Sequence, residues 1–229
     1  MKKNLLFAIA FILLVVQVKA QIPPKKHPDT SAPEWEDLFV PDLSNAIRPG
    51  NVWKVEDGVL TATEDQALWS GKEYDNFILD LEFKTAEGTN SGVIVYASDI
   101  DNWIPHSVEI QIADDHAEQW ANSPASWQCG AIFGHLPASE SRVKKPGKWN
   151  RFTIICQDKM IWVMLNGKTV TEMNMGLWTS AKTNPDGSEI PEWLSTPFAE
   201  LPTNGYIGFQ GKHAGAPIWF RNIRIRELE

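Results

Sequence analysis

Glu109, Gln111, Asp114 and His116 all fall within Val108-Glu109-Ile110-Gln111-Ile112-Ala113-Asp114-Asp115-His116, few stretches gathering so many groups able to handle protons. A carboxylate and an imidazole can move protons in general acid–base catalysis, and an amide donates to and accepts from hydroxyls. Val108, Ile110 and Ile112 alternate with Glu109, Gln111 and Ala113, a period of two that sends the two sets to opposite faces of a strand. On a central strand of a curved sandwich the polar face can line a groove, and a groove with carboxylate, amide and imidazole suits sugars. The plainer alternative is that Glu109 and Gln111 simply face solvent, as on any half-exposed strand.

Other residues extend this set. His106, His135 and His213 join His116 as candidate bases, although no HxH or HExxH spacing marks a metal site. A divalent metal held by Asp114, His116 and His213 is the one cofactor left open. Asn90-Ser91-Gly92 opens a strand, where Asn90 could bond a ligand hydroxyl and Gly92 could permit close backbone approach; a turn cap is the commoner use. By parity Arg221 shares a face with Trp219, Ile223 and Ile225, so it needs a carboxylate partner such as Glu109 or Asp114. Of 11 tryptophans, Trp103, Trp120, Trp127, Trp178 and Trp193 lie in loops, where an indole can serve as a platform for a sugar ring. No GxSxG elbow, P-loop or dinucleotide fingerprint is present.

The elements that must position these residues read as strands. Ser91–Ala97 and Ser107–Ala113 flank a turn rich in Asp, Asn and Pro, and Phe77–Lys84 alternates with Phe77, Leu79, Leu81 and Phe83 inward. Asp57-Gly58 and Asn166-Gly167 each separate two short runs and predict hairpins, because such pairs favour the turn that matches strand twist. No sustained helical period follows the first twenty residues. The pattern predicts an all-β fold, a two-sheet antiparallel β-sandwich of jelly-roll type, as a single domain over 34–229. Two long loops, 117–129 and 176–203, carry Trp120, Trp127, Trp178 and Trp193, which speaks for order and use.

Lys2 and Lys3 precede an apolar run from Leu5 to Val16, and Val18-Lys19-Ala20 ends it, so residues 1–20 read as a secretory signal peptide cleaved near Ala20. That run is too short for a comfortable membrane span and none follows, which predicts a periplasmic or secreted protein. Residues 21–33, rich in Pro and Lys, read as a linker. The formal net charge of −8 drops to about −11 once the leader's lysines are gone, and an acidic surface without a basic cluster argues against nucleic acid as a partner. Cys129 and Cys156 are the only cysteines and either pair or stay as two buried thiols.

Several pieces, in this order, resemble the 3-keto-disaccharide hydrolase domain family, DUF1080, with its concanavalin A-like lectin/glucanase sandwich. They are Trp53-Lys54-Val55-Glu56-Asp57-Gly58-Val59-Leu60, Asn90-Ser91-Gly92-Val93, Val108-Glu109-Ile110-Gln111-Ile112-Ala113-Asp114, Gly147-Lys148-Trp149-Asn150, Leu165-Asn166-Gly167, Gly205-Tyr206-Ile207-Gly208-Phe209-Gln210 and Phe220-Arg221-Asn222-Ile223. Val108 and Phe209 stand where the family usually has Tyr and Leu. The resemblance implies cleavage of glycosides already oxidised to a ketone at C3. The ketone acidifies the C2 proton; a base removes it, the C1 substituent leaves by elimination, and water adds to the enone. On this reading Glu109 or His116 is the base, and Arg221, Lys148 or His213 stabilises the enolate oxygen. Asn90, Gln111 and Asp114 orient hydroxyls, with Trp120, Trp127 and Gln210 as further substrate contacts. The partner is an oligosaccharide or glycoside.

Two other functions fit the same fold. A conventional glycosidase needs two carboxylates across the scissile bond, and the alternating partner of Glu109 is Gln111, an amide. A non-catalytic carbohydrate-binding module needs aromatics and amides and leaves the acid cluster incidental.

Overall fold

A computed structural model describes residues 24–228. The leader expected over residues 1–20 lies outside the described residues. The described residues form thirteen strands: β1 Glu36–Asp37, β2 Ala46–Ile47, β3 Trp53–Glu56, β4 Val59–Ala62, β5 Leu68–Ser70, β6 Phe77–Thr85, β7 Asn90–Ala97, β8 Val108–Ala113, β9 Trp149–Gln157, β10 Met160–Leu165, β11 Lys168–Asn174, β12 Tyr206–Phe209 and β13 Ile218–Glu227. The larger sheet runs β11-β10-β9-β6-β13-β4-β3, with β1 also paired to β13; the smaller runs β2-β5-β12-β7-β8. The paired strands are antiparallel. The chain forms the all-β sandwich that the alternation predicts.

Alternation supplies the core. Phe77, Leu79, Leu81 and Phe83 of β6 meet Val93 and Val95 of β7 and Val108, Ile110 and Ile112 of β8 in one cluster, all of them shielded from water. The two expected hairpin turns form: Asp57 and Gly58 adopt φ of 50° and 74°, and Asn166 and Gly167 50° and 85°. Both central residues with positive φ make the turn that twists with its strands. The outer edge of β8 is not bare. Gln111 N donates to Ala131 O at 2.9 Å and Phe133 N to Glu109 O at 2.9 Å, so the chain after the first long loop lies along it.

Two expectations need correction. The lead-in is docked from Pro24 onward: Thr169 Oγ1 donates to Pro24 O at 2.9 Å, Arg151 Nη2 to Pro28 O at 2.8 Å, and Gly167 N to His27 Nε2 at 2.8 Å. Those bonds give carbonyls and an imidazole in a Pro- and Lys-rich stretch partners that no periodicity reveals. The parity argument for Arg221 fails at a β-bulge, where Asn222 has φ 51° and the pairing with β6 shifts between Arg221 and Arg224. Ile218, Phe220, Ile223 and Ile225 therefore point inward and Arg221 outward. Of the two states open to Cys129 and Cys156, the structure has separate buried thiols. Among the described residues no helix is long and apolar enough to cross a membrane.

Candidate functional site

On the outer face of the smaller sheet, β7 and β8 and the two long loops enclose a cavity of about 300 Å³. Glu109 and Gln111 reach it from β8 because they occupy the face opposite Val108, Ile110 and Ile112. Glu109 is partly exposed as a residue, yet its Oε1 is buried and has no hydrogen-bond partner. Burial, and then the negative charge of Asp65, raise this carboxyl from its ordinary 4.5 to about 8. The carboxyl lies over Gly92 of β7, where any Cβ would collide with Oε1. Here glycine is required by close approach, and the room it leaves is filled by the acid.

Amides surround the carboxyl. Gln111 is buried and its Nε2 donates to Asn90 Oδ1 at 2.9 Å. Gln210 lines the cavity with a buried Oε1 that also lacks a partner, and its backbone N–H donates to Gly92 O at 2.9 Å. Two unpaired buried acceptors in one hollow are costly to leave dry, and a polyhydroxyl ligand would satisfy them. At the rim His213 Nδ1 faces Asp65 Oδ2 at 2.6 Å, both side chains about half exposed. Gly211 makes that pairing reachable: a Cβ there would strike the backbone of Glu64 and Gln66, so only glycine lets the two segments pass.

Aromatic walls complete the hollow. Trp127 meets Phe133 at 5.3 Å and Trp193 edge-on at 6.2 Å, while Trp120 Nε1 is tied to Gly88 O at 3.1 Å. Trp103 also lines the cavity, and Trp193 is 53% exposed at its rim. No Lys or Arg is among the residues lining it, and Glu109 is the one carboxyl there. An apolar enclosure with a few convergent polar groups and a strongly shifted acid has the physical marks of a site for binding and proton transfer.

Asn90, Trp103, Glu109, Gln111, Trp120, Trp127, Trp193, Gln210 and His213 are thus brought together, and the other expected residues are not. Arg221 lies on the outer face of the larger sheet, its Nε 2.9 Å from Glu82 and its guanidinium 4.0 Å over the Trp149 ring. Lys148 is exposed in the turn before β9. His116 Nε2 is 3.2 Å from Val143 O, outside the cavity, and buried Asp114 accepts from Gly88 N at 3.0 Å and His116 N at 3.2 Å. Both residues shape the turn that ends β8. Trp178 is a core residue, its Nε1 donating to Asn184 Oδ1 at 2.9 Å. Asp114, His116 and His213 therefore do not converge on a metal, and among the described residues no group of three or more His, Cys, Asp or Glu does. Asp65 and Phe133 join the site without a signal in the sequence; Asp65 sits in a short polar turn, Glu64-Asp65-Gln66, without any local spacing to mark it.

Comparison with known proteins points to carbohydrates. The chain is 26% identical over 208 residues to a 3-keto-disaccharide hydrolase of Bacteroides thetaiotaomicron, covering 77% of this chain and 70% of that one. A crystal structure from Parabacteroides distasonis, provisionally described as a glycosyl hydrolase, superposes with a TM-score of 0.83 at 58% identity, covering 85% of this chain and 99% of that one. The carbohydrate-binding module CBM66 of Bacillus subtilis shares the fold alone, at a TM-score of 0.51 and 10% identity over 82% of this chain and 99% of the module. The family model for the 3-keto-alpha-glucoside-1,2-lyase-like domain matches residues 22–226, and the chain belongs to that family of carbohydrate-acting proteins.

Proposed function

We propose that this protein cleaves glycosides carrying a ketone at C3 of the sugar, with Glu109 as the base at C2. Glu109 takes the C2 proton, and the electron pair of the broken C–H bond moves toward the ketone to give an enolate. Its collapse expels the C1 substituent and leaves an enone. His213, its Nδ1 turned to Asp65, gives a proton to the departing oxygen. Water then adds to C1 and gives its proton to His213, Glu109 returns its proton to C2, and the product is the free 3-keto sugar. Asn90, Gln111 and Gln210 hold hydroxyls while the tryptophans exclude water from the carboxyl.

The observation that carries this reading is the buried, unpartnered Oε1 of Glu109. A base that must remove a carbon-bound proton works best with a pKa near the working pH, and an ordinary carboxylate is too weak. The two-carboxylate alternative finds less support, since the cavity lining offers one acid rather than the pair a glycosidase uses.

The test is turnover of a 3-keto-glucoside followed by enone absorbance and release of the leaving group. Glu109→Gln should lower kcat by roughly 10²–10⁴-fold. Retention of full activity in that variant, or cleavage of the unoxidised glycoside alone, would overturn the proposal.

A further inference from the structure

Taking a proton from C2 puts an electron pair on the oxygen at C3, and in a water-poor cavity that oxygen needs a hydrogen-bond donor aimed at it. Among the described residues no Lys or Arg lines the cavity, and several of the donors that do are already committed. Ser107 Oγ donates to Trp103 O at 2.7 Å, Trp120 Nε1 to Gly88 O at 3.1 Å, and His213 Nδ1 is taken up by Asp65. The amides remain. Gln111 Nε2 donates to Asn90 Oδ1 at 2.9 Å, which occupies the acceptor of Asn90, and among the described residues Asn90 Nδ2 has no acceptor of its own. Gln210 is the reverse case: its buried Oε1 lacks a donor, so it suits a hydroxyl.

We propose that Asn90 Nδ2 is the oxyanion donor of this site, bonding the C3 oxygen as the ketone becomes an enolate, and that Gln111 is the residue that positions it. The proposal rests on the reading of Glu109 as the base. Of the three amides set against sugar oxygens above, Asn90 is then the one at C3. The Glu109 carboxyl lies over Gly92, and Asn90 is the next residue on that face of β7, about 7 Å along the strand. A carboxylate over one and an amide over the other span the ketone and its neighbouring C–H. The proton goes to Glu109, the C–H electron pair to the C3 oxygen, and Nδ2–H faces the charge that forms there. Register holds the parts: Gly92 pairs with Gln111 and Asn90 with Ala113, so the Gln111 side chain meets Asn90 diagonally across the ladder. Donation into Oδ1 also polarises the Asn90 amide, which strengthens the bond its N–H gives.

The experiment follows deuterium uptake at C2 of 1-deoxy-3-keto-glucose in heavy water by NMR; this compound has no exocyclic group to expel at C1, so enolisation is read apart from cleavage. Wild type should speed the exchange over the protein-free rate, Glu109 returning a deuteron. Asn90→Leu keeps the shape and removes the N–H. It should lower the rate about 10²–10³-fold while the calorimetric Kd for the same compound stays within about threefold, because the bond strengthens only as charge appears. Asn90→Ala serves if that variant does not fold. Gln111→Met should lower the rate about tenfold in the wild type and leave it unchanged in Asn90→Leu, whereas a merely structural role would lower both. Full exchange in a folded Asn90 variant, with exchange lost in Glu109→Gln, overturns the oxyanion assignment and leaves the base standing. No exchange in the wild type, or undiminished exchange in Glu109→Gln, overturns the base and this assignment with it.

Discussion

If Glu109 is as desolvated as its surroundings require, one carboxyl should push activity and stability in opposite directions with pH. Its proton is held to about pH 8 in the folded protein against an ordinary 4.5. At about 1.36 kcal/mol per unit, ionising it in place costs on the order of 5 kcal/mol. This is an upper bound, because water entering the cavity mouth screens the charge. Below pH 4.5 folded and unfolded chains both hold the proton, and the group leaves stability unaffected. Between 4.5 and about 8 only the folded chain keeps it, so stability falls as pH rises, and above 8 the loss is complete. Glu109→Gln has no such slope. Thermal melts of the two proteins from pH 5 to 9 should therefore diverge, the Gln variant gaining up to roughly 10–20 °C on the wild type at the alkaline end. Subtracting one protein from the other removes the background titration of Asp80 and Asp115, whose carboxyls burial also raises. In the same range, on a 3-keto-glucoside whose leaving group departs without a proton, wild-type kcat/KM should climb about tenfold per pH unit toward a plateau above 8, because only the ionised base removes a proton. Melting curves that run parallel from pH 5 to 9 would mean a solvated carboxyl of ordinary acidity, and the argument for a buried base would be lost.

Three further outcomes follow from the same geometry. Asp65→Asn removes the charge that helps raise Glu109, so the alkaline rise in kcat/KM should move to lower pH while kcat drops roughly tenfold or more as His213 loses its orienting partner; a pH profile shows both. Gly92→Ala drives a methyl into the Glu109 carboxyl and should cost about 1–3 kcal/mol of stability together with most of the turnover, read by denaturant melts and the enone assay. Arg221→Ala should leave kcat/KM within about twofold and lower stability by about 1 kcal/mol or less, since its contacts to Glu82 and Trp149 are on the far sheet.

The sandwich was legible because its information is local. In Phe77–Thr85 and Val108–Ala113 the period of two sorts core from surface without reference to any other part of the chain. Asp57-Gly58 and Asn166-Gly167 announce their turns through two φ values that neighbouring residues do not alter. Glu109 and Gln111 were found by the same rule, as the polar half of a strand whose apolar half had to be inside. The prediction for Arg221 used that rule too and broke where one extra residue entered the strand: a bulge at Asn222 inverts every later position, and nothing in Trp219-Phe220-Arg221-Asn222-Ile223 marks it except an Asn able to take positive φ.

What stayed hidden depends on which segments meet. Asp114 and His116 follow Glu109 closely in sequence, yet β8 ends at Ala113, and once the strand ends its alternation no longer says where a side chain points. His116 turns to Val143 and Asp114 to Gly88, each contact setting the path of the chain away from the cavity. The imidazole that does reach the cavity is His213, brought there by an isolated bridge between it and Asn90 and by the glycine that lets residues 211–213 run against 64–66. Asp65 contributes its charge through that same crossing, from a turn that has no pattern of its own. The acid can thus be read from one strand, but its partner requires the pairing of β7 with β12, since only that pairing continues through Gln210 and Gly211 to set the imaginary line from Glu109 to His213 in one hollow. On the proposed reading a base supplied by a strand and an acid supplied by a loop can then be altered separately, Glu109 being fixed by the core packing of Val108 and Ile110 on either side while His213 depends on Asp65, the bridge to Asn90 and one glycine.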